Sequence, residues 1–191
     1  RAVDDVSFAL AKGELLALIG PNGAGKSTCF NMLYGILAPD KGSVCLDGRE
    51  LIGMKPRDIW RLGVGRTFQI TAVYASMSVV ENVQMALISH HRKTFSAFTR
   101  AARLYWDDAM ALLDLIGMKD QADRAANILA YGDLKRLELA VAMAHDPALL
   151  LMDEPTAGMA PGERRALMKL TADIVAERGV SVLFTEHDMD V

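Results

Sequence analysis

The chain has 191 residues, of which 51% are apolar and 24% are charged, and its formal net charge is −3. This composition excludes a disordered chain and predicts one domain with a full apolar core. The weak net charge does not favour nucleic acid as a partner, and we find neither a signal-peptide pattern nor an apolar run of about 18 residues that would cross a membrane. The chain begins at Arg1 inside a strand-like segment and stops at Val191 shortly after another, so we expect a domain truncated at both ends.

The first third of the sequence predicts short strands and turns around one helix. Alternating apolar residues over 6–10 predict a half-buried strand, and the continuous apolar run over 15–19 predicts a strand that is buried on both faces. Helical periodicity follows over 26–37. Three shorter elements complete this part: a strand over 43–46 between two turns, a helix over 56–62 and a strand over 64–68.

The middle of the chain, residues 78–145, is rich in Ala, Met and Leu and has almost no β-branched runs. It predicts an inserted α-helical subdomain within an α/β core of residues 1–77 and 146–191. The core has a mostly parallel sheet and antiparallel β elements near the N-terminus. The predicted helices of the insertion lie near 78–89, 97–116 and 133–145, and the later core elements are a strand over 148–152, a helix over 161–178 and a strand over 180–185.

Residues 20–28 carry the most specific chemical signal. They read Gly-Pro-Asn-Gly-Ala-Gly-Lys-Ser-Thr and lie between a predicted strand and a predicted helix, as a phosphate-binding loop does. Glycines let the backbone curl so that its N–H groups point at phosphate oxygens, and the helix N-terminus adds a partial positive charge. Lys26 can reach the terminal phosphates, and the Ser27 hydroxyl can ligate Mg²⁺. The predicted nucleotide-binding residues are Asn22, Gly23, Ala24, Gly25, Lys26, Ser27 and Thr28.

Further groups that hydrolysis needs follow other predicted strands. Asp153 ends a buried strand and is placed to hold Mg²⁺, directly or through water, and Glu154 can act as a base toward the attacking water. His187 follows the last strand, where its imidazole can bond the γ-phosphate or the water, and Gln69 follows the strand over 64–68. Because ligands of parallel sheets bind at the carboxyl ends of strands, we expect these side chains to lie around the loop.

The ordered set of motifs resembles the nucleotide-binding domain of ABC transporters over essentially the whole chain. Residues 20–28 resemble its Walker A loop, Gln69 its Q-loop, residues 151–155 its Walker B strand with the catalytic Glu, and His187 its switch histidine. The resemblance implies a P-loop NTPase core that hydrolyses ATP with Mg²⁺. It implies three catalytic residues, Glu154, His187 and Gln69, and three metal-binding residues, Ser27, Gln69 and Asp153.

Residues 129–133, Leu-Ala-Tyr-Gly-Asp, lie where the family carries its signature, Leu-Ser-Gly-Gly-Gln in most members. Tyr131 at the third position resembles the branched-chain amino-acid importer ATPases, as do residues 66–69 and the basic insertion after them. The resemblance therefore implies an importer for branched-chain or related amino acids. It implies that the signature acts in trans on ATP held by a second ATPase subunit, through Ala130, Tyr131, Gly132 and Asp133.

The same resemblance implies the other partners. Gln69 and the helical insertion would contact integral membrane permease subunits, and a periplasmic or extracellular substrate-binding protein would act indirectly, with no nucleic acid involved. The ATPase would then lie peripherally on the cytoplasmic face of the cell membrane. The adenine-stacking aromatic of the family lies upstream of the first strand, so Val3 is the nearest candidate for contact with the base.

Three residues depart from the family pattern. Ala130 lacks the hydroxyl of the signature Ser, Asp133 puts a carboxylate where the family has a neutral side chain, and Ala160 stands where the family's D-loop usually ends in a polar residue. The resemblance implies that all three act largely on the partner's nucleotide, whereas the residues that serve the chain's own nucleotide are intact. Two interpretations stay open. In the first, the protein forms an asymmetric heterodimer in which this chain's own Walker site is the competent one. In the second, called tolerated drift below, the three substitutions are tolerated in a homodimer or an ordinary heterodimer.

Other function classes fit less well. A soluble ABC ATPase acting on ribosomes or DNA is the main alternative, but such proteins usually carry two fused cassettes or long coiled coils. A GTPase would need an Asn-Lys-x-Asp motif, which is absent. A kinase would need neither the signature region nor His187.

Overall fold

The computed structural model describes residues 2–67, 73–91 and 104–187. Its strands and helices, in chain order within each class, are β1 (Leu15–Ile19), β2 (Cys45–Leu46), β3 (Arg49–Glu50), β4 (Val64–Thr67), β5 (Leu149–Asp153) and β6 (Ser181–Glu186), and α1 (Lys26–Leu33), α2 (Pro56–Arg61), α3 (Val79–His90), α4 (Trp106–Leu115), α5 (Tyr131–Met143) and α6 (Pro161–Arg178). Two short 3₁₀ turns, Lys119–Gln121 and Ala126–Ile128, precede α5. None of the described helices is both long and apolar enough to cross a membrane.

Four parallel strands form the central sheet in the order β1-β6-β5-β4. β5 and β6 are almost wholly buried, as the continuous apolar sequence of β5 predicts for a strand covered on both faces. In this register Asp153 lies opposite Thr185, and Ile19 lies opposite Glu186. The carboxyl ends of β1, β5 and β6 are therefore level with one another, at the edge where the predicted site residues emerge.

The apolar core lies on both faces of the sheet. Leu150 and Val182 pack with the helices α3 to α6 on one face, whereas Leu151 and Leu183 pack with Phe30 of α1 on the other. Neighbouring residues of a strand point to opposite faces, which is why adjacent leucines in β5 enter different halves of the core. The helices α3, α4 and α5 pack on one another and lie within the segment 78–145, for which the sequence predicts a helical insertion.

The α/β fold with a parallel sheet and a small antiparallel sheet is confirmed, but the strand predicted over 6–10 is wrong. These residues form no strand, and Val6 and Phe8 are 54% and 44% exposed. An alternating pattern becomes a strand only beside another strand, and none of the described strands pairs with this segment. The antiparallel part is instead the β2–β3 hairpin, whose turn residues Asp47 and Gly48 both have positive φ, as a type I′ turn requires.

Helix boundaries also differ from the predictions in places. α1 ends at Leu33, four residues before the predicted end, because Gly35 turns the chain with a φ of +71° close to the Met54 carbonyl. α5 begins at Tyr131, two residues before the predicted start. The first part of the helix predicted over 97–116 lies outside the described residues, as does Gln69.

His145 follows α5 and is buried between three elements. Its ring lies 4.9 Å from the Trp60 ring of α2, and a β-carbon at Gly65 of β4 would lie 3.1 Å from its Cε1. Burial, which removes the imidazolium from water, lowers the pKa of His145 to about 4. His90 lowers this pKa further, whereas the Val64 and Ala142 backbone and Asp146 act in the opposite direction.

We expect the free energy of unfolding to fall between pH 6.5 and pH 4 because of His145. The unfolded chain takes up a proton near its ordinary pKa of about 6.5, whereas the folded chain resists it until about pH 4, so acid favours unfolding across this window. The cost reaches roughly 2 kcal/mol at pH 5. Urea unfolding of wild type and His145→Gln at pH 7.5 and pH 5 measures it. The variant should lose less stability on acidification, and identical losses would contradict the role given to His145.

Candidate functional site

The loop between β1 and α1 curls around the N-terminus of α1. Gly23 and Gly25 have φ values of +81° and +90°, in the left-handed region that glycine adopts without strain. Gly25 is the residue before the helix, and no side chain caps the first turn of α1. The N–H groups of this first turn and the positive end of the helix dipole therefore face the inside of the loop, which is the arrangement that binds phosphate.

The Lys26 side chain is buried inside this curl. Its Nζ donates to the carbonyl oxygens of Gly20 and Pro21 and lies 3.3 Å from Nδ1 of His187. The ammonium group is thus held at the mouth of the loop, between the loop and the end of β6, where it can meet the terminal phosphates.

Asp153, at the end of β5, is held on both carboxylate oxygens. Its Oδ1 accepts a hydrogen bond from Thr185 Oγ1 at 2.8 Å and lies 3.4 Å from Ser27 Oγ, and its Oδ2 lies 3.4 Å from Nη2 of Arg66. The side chains of Arg66 and Asp153 are only 5% and 7% exposed. Arg66 also donates to Asn31 Oδ1 at 2.9 Å, which ties β4 to α1.

The oxygens of Ser27 and Asp153 fit a magnesium ion. Mg²⁺ prefers oxygen ligands in an octahedron, in which neighbouring ligand atoms are about 3 Å apart, close to the 3.4 Å between these two side chains. Within residues 2–67, 73–91 and 104–187, no group of three or more His, Cys, Asp or Glu side chains is placed to hold a metal. A bound Mg²⁺ would therefore need further oxygen ligands besides the side chains of Ser27 and Asp153.

Glu154 and His187 are joined across the mouth of the loop. Glu154 Oε1 lies 2.9 Å from Nε2 of His187, whose other ring nitrogen faces Lys26. The backbone of Glu154 has a φ of +50°, a strained value for a residue other than glycine, and its N–H donates to Thr185 Oγ1 at 2.9 Å. The strained turn directs the carboxylate toward His187 and the loop.

The structure brings together five of the predicted residues: Lys26, Ser27, Asp153, Glu154 and His187. Val3 lies beside the loop, since a β-carbon at Gly25 would be 3.4 Å from Val3 Cγ2. Gln69 lies outside the described residues. Arg66 and Thr185 were not identified as site residues from the sequence. The polar Thr185 at the end of the apolar run of β6 is a signal that could have indicated its role.

The signature residues form a different surface, at the N-terminus of α5. Ala130 precedes the helix without capping it, and the exposed Tyr131 ring lies against Gly158. A β-carbon at Gly132 would lie 3.0 Å from the Glu163 carboxylate, which itself accepts from the Ala160 N–H. Ala130 and Ala160, two of the three departures from the family pattern, thus border one surface. The third, Asp133, lies in the first turn of α5, with its Oδ2 3.5 Å from Gln121 Nε2.

The sequence profile of the ABC transporter family matches residues 3–157, most of the chain. The protein belongs to the ABC transporter family. It is the ATP-binding, ATP-hydrolysing subunit of such a transporter, so the ABC ATPase and the P-loop NTPase core predicted from the motifs are confirmed.

Curated relatives of this ABC ATPase match almost its whole length. The branched-chain amino acid transport ATP-binding protein LivG of Salmonella typhimurium is 42% identical over 98% of this chain and 76% of its own length. The corresponding protein BraF of Pseudomonas aeruginosa is 39% identical over the same shares of the two chains.

Solved cassettes have the same fold. The ADP conformation of an ATP-binding cassette of an ABC transporter is 30% identical and superposes with a TM-score of 0.86, covering 98% of this chain and 76% of the other. A dimeric cassette in a post-hydrolysis state, bound to ADP and Pi, is 26% identical and superposes with a TM-score of 0.79, covering 99% and 81% of the two chains.

Replacing Gly25 by Ala should weaken nucleotide binding more than replacing Gly23. Both positions have positive φ, so both substitutions strain the backbone, by roughly 1–2 kcal/mol. At Gly25 the new β-carbon would also collide with the Ala2 carbonyl, whereas at Gly23 it meets nothing within 4 Å. Titration with a fluorescent ATP analogue and thermal unfolding of both variants measure the difference, and equal losses would contradict the close approach of Ala2.

Proposed function

We propose that this ATPase subunit drives the import of branched-chain or related amino acids, with Mg²⁺-ATP as its working nucleotide. The main support for this substrate class is the similarity, over nearly the whole chain, to LivG and BraF, which are both branched-chain amino acid transport ATP-binding proteins. The Tyr131 form of the signature, which resembles the same branch, supports it from within the sequence.

The residues around the loop have distinct proposed roles. The loop N–H groups and Lys26 bind the β- and γ-phosphates, and Ser27, Asp153 and Gln69 hold Mg²⁺, which neutralises charge on those phosphates when bound. Glu154 orients the attacking water and accepts its proton. His187 bonds the Glu154 carboxylate at 2.9 Å and so keeps that oxygen facing the loop.

We propose a head-to-tail pair of ATPase subunits on the cytoplasmic face of the membrane, bound to permease subunits and served by a substrate-binding protein. The dimeric relative supports the pairing. The exposure of Tyr131 and the shared surface of the signature and Ala160 support a partner contact there, since in the described part of the chain that surface shares no residue with the site around the loop.

Within that pair we propose that this chain's own Walker site is the competent one. The groups that serve it are intact and in mutual contact, from Lys26 through His187 to Glu154. The signature that this chain presents to the partner's nucleotide is weakened. Ala130 lacks the hydroxyl of a signature Ser, and Asp133 places a negative charge beside the phosphates of that nucleotide. The partner subunit would then carry the fuller signature.

Replacing Glu154 by Gln should abolish transport but not nucleotide binding. The amide cannot accept the proton of water, so ATP hydrolysis should fall by about 100-fold or more, while the loop and Lys26 still bind ATP. The full-length protein is assembled with its permease subunits in vesicles. Vesicles with the wild-type subunit should take up labelled leucine, isoleucine or valine, and vesicles with Glu154→Gln should not.

Glu177→Gln is the matched control, because Glu177 is exposed at the end of α6 and pairs only with Arg178 among the described salt bridges. It should retain both hydrolysis and uptake. Active hydrolysis without uptake of any of the three amino acids would contradict import of branched-chain amino acids, and active hydrolysis by Glu154→Gln would contradict the role of Glu154.

The asymmetry predicts that this chain alone hydrolyses ATP slowly and that Ala130→Ser speeds it up. The new hydroxyl would donate to the phosphate across the pair, and a hydrogen bond to a charged group is worth about tenfold or more in rate. ATP turnover of the isolated chain, with Ala166→Ser on the exposed side of α6 as the control, measures the gain. A fully active isolated chain that the substitution leaves unchanged would favour tolerated drift.

A further inference from the structure

Thr185 is a fully buried threonine near the end of β6, next to the apolar residues Val182, Leu183 and Phe184. Burying a hydroxyl away from water is costly unless it is hydrogen-bonded. Apolar packing does not need this hydroxyl, since valine would have the same shape. The role of the hydroxyl in this central strand must therefore lie in the groups that it bonds.

The hydroxyl bonds to the last residue of β5 and to the residue that follows it. Thr185 Oγ1 lies 2.8 Å from Asp153 Oδ1 and 2.9 Å from the backbone nitrogen of Glu154. The direction of both bonds is fixed, because an ionised carboxylate only accepts and a backbone N–H only donates. Thr185 thus gives its one proton to Asp153 and accepts the N–H of Glu154.

These two bonds determine how the two acids face the loop. Asp153 is held with Oδ1 toward Ser27 and Oδ2 toward Arg66, which blocks rotation of the carboxylate. Glu154 is held at the strained φ of +50° from which its carboxylate reaches His187. A single hydroxyl therefore sets the orientation of one acid and the backbone of the other.

We infer that Thr185 is a positioning residue for hydrolysis, whose hydroxyl orients Asp153 and Glu154 relative to each other and to the loop. The inference rests on the roles proposed above for these two acids. It assigns Thr185 an effect on the rate of the chemical step, while nucleotide affinity depends on the loop and Lys26, which Thr185 does not contact in the described structure.

A second contact keeps the segment after β5 in place when the hydroxyl is removed. The buried Glu186 carboxylate accepts from both the N–H and the hydroxyl of Thr156, at 3.2 and 2.7 Å. Because this tether does not involve Thr185, the chain after Glu154 stays attached to β6 in a Thr185→Val variant. The variant should fold, with its two acids free to change orientation.

The test compares Thr185→Val, which keeps the shape and loses the hydroxyl, with Thr185→Ser, which keeps the hydroxyl. Thr171→Val is the matched control: Thr171 is also buried, and its hydroxyl bonds only the Leu167 carbonyl of α6 among the described contacts, at 2.9 Å. The full-length proteins, assembled with their permease subunits, are compared for kcat, KM for ATP and melting temperature. Binding of a fluorescent ATP analogue is titrated with and without Mg²⁺.

Thr185→Val should lower kcat by about tenfold or more, the effect of one lost hydrogen bond to a charged group, with KM for ATP within about twofold of wild type because the loop is untouched. The Mg²⁺ concentration that half-saturates the change in analogue binding should rise several-fold, since Asp153 is no longer oriented. Thr185→Ser should restore both quantities. Thr171→Val should lower the melting temperature without changing kcat.

Three results would overturn the inference: wild-type kcat in Thr185→Val, failure of Thr185→Ser to restore activity, or an equal loss of kcat in Thr171→Val. Each differs from failure of the proposed function. Glu154→Gln tests that function separately, so an inactive Glu154→Gln beside a fully active Thr185→Val would refute only the role of Thr185.

Discussion

The register of the parallel strands is the constraint on which the site depends. Pairing of β5 with β6 sets Asp153 opposite Thr185, and pairing of β1 with β6 sets Ile19 opposite Glu186. The loop after β1, the two acids at the end of β5 and His187 after β6 therefore leave the sheet at one level. A slip of one residue in β6 would turn Thr185 to the other face and separate these groups. Backbone hydrogen bonds in the buried centre of the sheet thus hold together residues that lie more than 120 positions apart in the chain.

The charged groups buried at this edge of the sheet all have polar or charged partners among the described residues. Arg66 and Asp153 are both buried, and a charge that is out of water needs a partner of opposite sign or strong hydrogen bonds. Lys26 meets this need through the carbonyl groups of its own loop, and His187 lies between Lys26 and Glu154. Groups held in this way need little rearrangement when a charged ligand binds, which is the physical basis of electrostatic preorganisation.

The two surfaces to which we assign functional roles differ in completeness. The edge of the sheet carries a connected set of contacts from the loop to β6, whereas the N-terminus of α5 carries an alanine without a capping side chain. The second surface also includes the segment before α6 and the first turn of that helix, through Tyr131 with Gly158 and Gly132 with Glu163. The difference between the surfaces is the physical basis for proposing a partner that is not identical to this chain.

The sequence by itself determined the features that are local. The phosphate loop was predictable because its glycines, its Lys and the strand and helix around it are contiguous, and Asp153 and Glu154 because they follow an apolar run. The strand over 6–10 was predicted wrongly, because alternation cannot show whether a neighbouring strand exists. Only the tertiary structure decided that Arg66 and Thr185 contact Asp153, since those contacts follow from strand order and register. Hydrogen bonds between strands far apart in the chain set that order, and no single segment of sequence contains them.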